Sequence, residues 1–251
     1  MESNFESAQT GTNAPAPGGA SIWSIMIGVF TSPTQAFDNY KKSPSIIIPL
    51  VVVLVLGAVV AGLMTGPNAS MQYDLMKNST VLPAQALEQM KADAENPKMI
   101  MGVIFAPVMI VVFSVLGALV AWFLGSFVFG GTAKFKAIWG AGLLGSLIMQ
   151  LGALVRAPLA IAQDSGYVTL GLAAFFPDKD FTSIFYSLLF YLDGFMIWSL
   201  IITGFGYAAV LGISRGKGIA VSVITGLLFI LGAIGMMAFG MSFAGVEMSF
   251  F

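Results

Sequence analysis

The sequence predicts an all-α fold: a polytopic membrane helix bundle with five transmembrane helices, preceded by interfacial N-terminal helices. The first reason is composition, since 57% of the residues are hydrophobic, 9% are charged and the mean hydropathy is +0.90. Soluble domains carry about 25% charged residues. The second reason is a series of apolar segments long enough to cross the roughly 30 Å hydrocarbon core of a bilayer. An integral membrane protein is therefore expected.

The side chains that carry most protein chemistry are scarce. The chain has no His and no Cys, which removes disulfides, thiolate catalysis and the usual ligands of zinc, haem and iron–sulfur clusters. Its net charge is −1 and its 11 basic residues are dispersed, which argues against nucleic-acid binding. The 15 Met residues are interpreted as adaptable apolar packing rather than a copper path. We expect no enzyme activity, no metal and no cofactor.

The N-terminal region is expected to lie outside the bilayer core. Residues 1–20 are polar and rich in Pro and Gly, which predicts a disordered cytoplasmic tail. Residues 21–42 predict interfacial amphipathic helices, because the apolar run within 21–30 is too short to span and contains Trp23. The segment Ser32-Pro-Thr-Gln35 has the form of a capping box that opens a second short helix.

The membrane domain is predicted over residues 43–241, followed by a short outer tail over 242–251. Apolar stretches predict spans at approximately 46–64, 99–124, 137–155, 184–211 and 219–241. Pro107 is expected to kink the second span, and Arg156-Ala-Pro158 is expected to end the third. Between the first two spans, Pro83 to Glu95 predicts a short amphipathic surface helix.

Orientation is predicted from basic residues in the loops near the span ends. The short loops on one side carry Lys41, Lys42, Lys134, Lys136, Arg215 and Lys217. The longer loops on the other side carry Lys77, Lys91, Lys98, Arg156 and Lys179. The higher density on the first side predicts a cytoplasmic N-terminus and an outer C-terminus.

Small residues spaced four apart predict where the spans contact each other. Lipid provides no hydrophobic drive between helices, so close approach depends on such residues. They are Gly117, Ala121 and Gly125 in the second span, Gly142 and Ser146 in the third, and Gly204, Ala208 and Gly212 in the fourth. These three spans are expected to be in tight contact at their cytoplasmic ends.

One acidic residue, Asp193, falls within the fourth predicted span. An ionised carboxylate there costs about 2.5 to 3.5 kcal/mol on insertion scales. A structural ion pair with Arg156, at the outer end of the third span, would offset that cost; the alternative is an ion or proton site. The structural role is favoured, because a proton relay normally gathers several acids at membrane depth.

Several short motifs follow each other in a distinctive order. They are Ser32-Pro-Thr-Gln-Ala-Phe37, Pro44 and Pro49, Phe135-Lys136, Asp193 followed by Trp198 and Gly206, and the turn Ser214-Arg-Gly-Lys217. This order resembles the Ypt-interacting-protein (YIP) domain family, over about Ile22 to Met241. The resemblance implies a five-span membrane protein with a cytoplasmic N-terminus and, as in prokaryotic members, an accessory or scaffold role. It implies no catalytic residues.

The sequence thus predicts a non-enzymatic integral membrane adaptor or scaffold in the cytoplasmic (inner) membrane of a prokaryote. Its expected partners are the lipid bilayer and either another membrane protein, including a transporter complex, or a second copy of the chain. The alternative is a small-solute or ion transporter or channel that uses Asp193.

Overall fold

The computed structural model describes residues 20–176, 181–246 and 249–250. The predicted disordered tail lies outside these residues, except for Ala20. Within them the chain is helical, and isolated bridges take the place of any β-strand. The predicted all-α class is confirmed.

The helices follow one another along the chain with short connections. The first five are α1 (Ile22–Thr31), α2 (Pro33–Tyr40), α3 (Ile47–Leu63), α4 (Thr65–Met76) and α5 (Ala84–Glu95). The next five are α6 (Met99–Phe123), α7 (Phe135–Ala162), α8 (Ile184–Tyr191), α9 (Gly194–Leu211) and α10 (Arg215–Phe243). A π-helical turn, Leu124–Val128, extends α6, and a 3-10 turn, Leu172–Phe175, precedes α8.

Among the described residues, 4 helical segments are long and apolar enough to cross a membrane: Gly102–Val128, α7, α9 and α10. Together, α3 and α4 meet the same test but bend by 57°, which brings the number of candidate spans to 5 if the bent pair is one span. Pro67 lacks the N–H that would continue the α3 hydrogen-bond ladder. Thr65 Oγ1 donates to Ala61 O at 2.8 Å across the bend. The polytopic helical bundle is confirmed at four to five spans.

Two predicted boundaries were wrong. The third span does not end at Arg156, since α7 continues through Pro158 to Ala162; a membrane helix tolerates proline where neighbours or water satisfy the freed carbonyl. The stretch predicted as one fourth span is broken between α8 and α9. Asp193 causes this break, because its Oδ1 accepts a hydrogen bond from Met196 N at 2.7 Å and caps α9.

Helix α7 lies at the centre of the bundle. It packs against α3, α6 and α9, while α9 also packs extensively along α10. Ile138, Leu144 and Ile148 of α7 are fully buried within the largest apolar cluster. The two N-terminal helices fold onto this cluster, because Val29 of α1 and Phe37 of α2 are also fully buried in it.

Candidate functional site

Helices α1 and α2, here called the docking helices, are attached to the bundle through aromatic rings that face glycines. A Cβ placed on Gly206 of α9 would lie 2.7 Å from Cε1 of Phe37. A Cβ placed on Gly140 of α7 would lie 2.9 Å from Cζ of Tyr40. Any larger residue at either glycine would displace the ring, so these glycines form two slots for α2. The motif that contains Phe37 and the one that contains Gly206 therefore meet in space.

Trp198 extends the same attachment to α1. Its ring makes an edge contact with Phe30, with 6.1 Å between the ring centroids, and a tilted contact with Phe195 at 6.4 Å. Edge-to-face aromatic pairs contribute about 0.5 to 1.5 kcal/mol beyond the burial of their area. Trp198 thus holds the docking helices rather than lining an aqueous site.

The Tyr40 hydroxyl is buried without a hydrogen-bond partner among the described residues. Burial raises the pKa of the Tyr40 phenol well above its usual range, since the charged phenolate is disfavoured in an apolar site. An unsatisfied buried hydroxyl costs about 1 to 3 kcal/mol. The docking of α2 is therefore weaker than its aromatic burial alone would make it.

The intramembrane pair expected from the sequence is not a direct ion pair. Among the described residues, no ion pair within 4.0 Å joins Arg156 to Asp193. The Arg156 guanidinium carbon instead lies 5.6 Å from the centroid of the Phe190 ring, a cation–π distance. The Asp193 carboxylate serves as a helix cap, and a functional role for either residue stays a prediction.

Most of the small residues singled out in the sequence lie at contacts with α9 or α10. A Cβ on Gly204 would lie 2.5 Å from Ile219 Cα, and one on Gly142 would lie 3.1 Å from Tyr207 Oη. A Cβ on Gly125 would lie 2.9 Å from Leu211 Cδ2, and one on Gly117 would lie 3.7 Å from a Phe229 ring carbon. Ala121 and Ala208 are buried.

Two of these residues have other roles. Gly212 has a φ of 69° at the end of α9, where it terminates the helix in the left-handed conformation, and a Cβ there would meet nothing within 4 Å. The Ser146 hydroxyl donates to Leu143 O of its own helix at 2.8 Å. Gly218 of α10 does not belong to the small residues singled out in the sequence, yet it lies at a close contact, since a Cβ there would lie 2.7 Å from Ala208 N. That these residues determine helix association stays a prediction.

Charged side chains of the described residues form ion pairs only at exposed positions. The pairs are Lys41–Asp38 at 2.6 Å, Lys77–Asp74 at 2.9 Å and Lys98–Asp93 at 3.7 Å. Buried polar side chains in this part of the chain are hydroxyls, such as Ser199, whose Oγ donates to Gly145 O at 3.0 Å. Groups of at least 3 His, Cys, Asp or Glu residues that could bind a metal are absent from the described residues.

The structure is thus a bundle of apolar candidate spans in which α2 is seated in two glycine slots and Asp193 caps α9, as expected of a polytopic membrane protein. The Yip1 domain matches residues 27–236, and the chain therefore belongs to that family. The chain is also 28% identical to Membrane protein YknW of Bacillus subtilis (strain 168) over 244 residues, which cover 92% of this chain and 94% of that protein. No solved structure matches the chain. The family resemblance is thus confirmed.

Proposed function

We propose that this protein is a non-enzymatic membrane adaptor that binds another membrane protein, including a transporter complex, or a second copy of itself. The supporting observation is the outward face of α10. A Cβ on Gly232, Gly235 or Gly240 would meet nothing within 4 Å, whereas the neighbouring Leu231 and Met236 are 60% and 69% exposed. Small residues flanked by large ones allow a second transmembrane helix to approach closely.

The transporter alternative has less support. A transport path needs polar groups at membrane depth, and such groups are usually ionisable or line a water-filled cavity. The buried polar side chains among the described residues are uncharged hydroxyls of Ser and Thr. Asp193 lies at a helix break, and its Oδ1 is already occupied by the Met196 N–H. Ion or solute flux in proteoliposomes that disappears in Asp193→Asn would contradict the adaptor proposal and support transport.

We further propose that the N-terminus faces the cytoplasm of a prokaryote and the C-terminus the outer side. The basic loops lie at one end of the bundle: Thr132 N, before α7, donates to Leu211 O, before α10, at 3.0 Å. Lys41 and Arg215 also line one cleft. Their clustering is the asymmetry that the positive-inside rule uses. Tags at the two termini should react with impermeant reagents from opposite sides.

Site-directed crosslinking tests the adaptor function, and the absence of Cys makes every introduced thiol unique. A benzophenone probe is attached at Leu231→Cys on α10, or at Val112→Cys on the outward face of α6 as a control; these side chains are 60% and 44% exposed. In native membranes, the α10 probe should give one discrete adduct, either a dimer or a complex with a membrane protein identified by mass spectrometry. Introducing Gly232→Leu should abolish it. Identical adduct patterns from both probes, or none, would contradict the proposal.

A further inference from the structure

A cleft of about 760 Å³ lies where α3 breaks into α4, at the end of α3 remote from the docking helices. Residues of α3, α4, α5 and α6 line it. The volume is within the roughly 300 to 1,000 Å³ of typical small-molecule sites. The cleft is separate from the docking helices and from the Asp193 cap; of the interactions described above, the Thr65–Ala61 hydrogen bond and the Lys98–Asp93 ion pair join residues that line it.

The walls of the cleft change from charged to apolar along α6. Asp93 and Lys98 line one end, whereas Phe105 and Met109 line the other. At 1.5 Å per residue, the distance along α6 from Lys98 to Met109 is about 16 Å. Because Lys98 directly precedes α6, whose first residues are apolar and which forms most of a candidate span, we expect the charged end at the level of the lipid headgroups and the apolar end at the level of the acyl chains.

The two charges at the headgroup level are only loosely bound to each other. Lys98 Nζ lies 3.7 Å from Asp93 Oδ1, and the two side chains are 70% and 45% exposed. An exposed pair of this length contributes little to stability, so a ligand can separate the two groups at small cost. Gln89 Nε2 donates to Asp93 Oδ1 at 3.2 Å and orients the carboxylate. Asn68 and Gln72 of α4 line the same cleft.

We infer that this cleft binds a phospholipid whose headgroup carries a primary ammonium, such as phosphatidylethanolamine. Lys98 donates to the phosphate, Asp93 accepts from the ammonium, and Phe105 and Met109 contact an acyl chain. The charge pattern favours this class of lipid over the others. A glycerol headgroup offers the carboxylate only neutral hydroxyl donors, which make weaker hydrogen bonds than an ammonium, and a choline headgroup has no N–H to donate to it.

Native mass spectrometry of the full chain in mild detergent tests the inference. The probes are phosphatidylethanolamine, phosphatidylcholine and phosphatidylglycerol with identical acyl chains. We expect the ethanolamine lipid to bind roughly three- to tenfold more tightly than the other two, as for one charge-assisted hydrogen bond at a partly exposed site. Equal retention of the three lipids would overturn the inference.

Two substitutions test which residue contacts which part of the lipid headgroup. Asp93→Asn should remove the preference for ethanolamine over choline without weakening choline-lipid binding, whereas Lys98→Gln should weaken both lipids alike. Lys91→Gln is the matched control, because Lys91 is exposed on α5 outside the cleft. These side chains are partly or fully exposed, so the variants should elute and melt like the wild type. An Asp93→Asn protein that keeps the ethanolamine preference would contradict the assignment.

A last pair of experiments separates a lipid from a free headgroup. Glycerophosphoethanolamine has the same charged groups but no acyl chains, so an excess of it should not displace the bound lipid. Ala106→Phe fills the apolar end of the cleft and should weaken all three lipids. Displacement by the soluble headgroup, together with unchanged lipid binding in Ala106→Phe, would show that the acyl-chain contacts do not exist.

Discussion

Replacing Gly204 by Ala tests the close approach of α9 and α10. The added Cβ would lie 2.5 Å from Ile219 Cα and 2.8 Å from Ile219 N, and these backbone atoms cannot rotate away. Ordinary van der Waals contact begins at 3.4 Å, so the two helices would have to separate by about 0.9 Å. Gly218 packs against Ala208 from the opposite side, which means that the separation would also loosen that contact.

The expected loss combines two opposing effects. Inserting a methyl group into a packed contact costs about 1 to 3 kcal/mol of unfolding free energy. The upper end of this range applies here, because the neighbouring atoms belong to the backbone and cannot move aside. Gly to Ala in a helix otherwise gains about 0.5 to 1 kcal/mol. The net destabilisation of Gly204→Ala should therefore be about 2 kcal/mol. Gly232→Ala is the matched control: it is the same substitution on the open face of α10, where a Cβ meets nothing within 4 Å.

Reversible SDS-induced unfolding in mild detergent, followed by tryptophan fluorescence, measures the free energy of unfolding for both variants. Gly232→Ala should be neutral or slightly stabilising, so the two variants should differ by about 3 kcal/mol, a factor of roughly 100 in the folding equilibrium. If Gly204→Ala is as stable as Gly232→Ala, α9 and α10 do not pack backbone against backbone, and the reasoning from small residues fails.

Substitutions at three further positions test the cap and the docking helices. Asp193→Asn should lose less than about 0.5 kcal/mol of unfolding free energy, because Asn caps as well as Asp, whereas Asp193→Ala should lose about 1 kcal/mol; equal, large losses would show that the charge matters more than the cap. Tyr40→Phe should gain about 1 to 3 kcal/mol by removing an unpartnered hydroxyl. Burial raises the pKa of the Tyr40 phenol, so the phenol ionises at lower pH in the unfolded state than in the folded state. The unfolding free energy of the wild type is therefore unaffected by this group below roughly pH 10, the unfolded-state pKa, and falls as the pH rises above it. Above that pH the unfolding free energy of Tyr40→Phe should fall less than that of the wild type, and parallel pH profiles would refute the assignment. Phe37→Ala should lose about 3 to 5 kcal/mol and release α2, so that trypsin cleaves faster after the already exposed Lys41, unlike in the variant Gln35→Ala, whose side chain is exposed; equal cleavage rates in both variants would show that Phe37 does not hold α2.

Much of the architecture was predictable because a bilayer leaves the backbone few choices. Each spanning segment must satisfy its own N–H and C=O groups, so long apolar stretches become helices. The amphipathic helix predicted from Pro83 to Glu95 corresponds to α5, Ala84–Glu95, because its polar and apolar residues alternate with the helical period. Residues 1–20, by contrast, yield a compositional prediction that lies outside the described structure, apart from Ala20.

Helix breaks were harder to predict, because they depend on local hydrogen bonds that compete with a favourable apolar run. Asp193-Gly194 carries a readable signal, since Asp is a strong N-cap and Gly tolerates the change of direction. The hydropathy of the surrounding residues concealed it. At Pro158 the sequence predicts a helix end that the structure does not have, because α7 continues through this proline to Ala162.

The sequence by itself determined that this is a helical membrane protein with most of its span positions and a Yip1-type order of motifs. The tertiary structure alone decided which faces meet: that α9 packs along α10, that Phe37 enters the slot at Gly206, and that Arg156 lies over Phe190. The physical reason is that a span surrounded by lipid is apolar on every side. Its hydrophobic pattern therefore does not distinguish a lipid-facing surface from a protein-facing one, and only the fit of small residues against particular neighbours does.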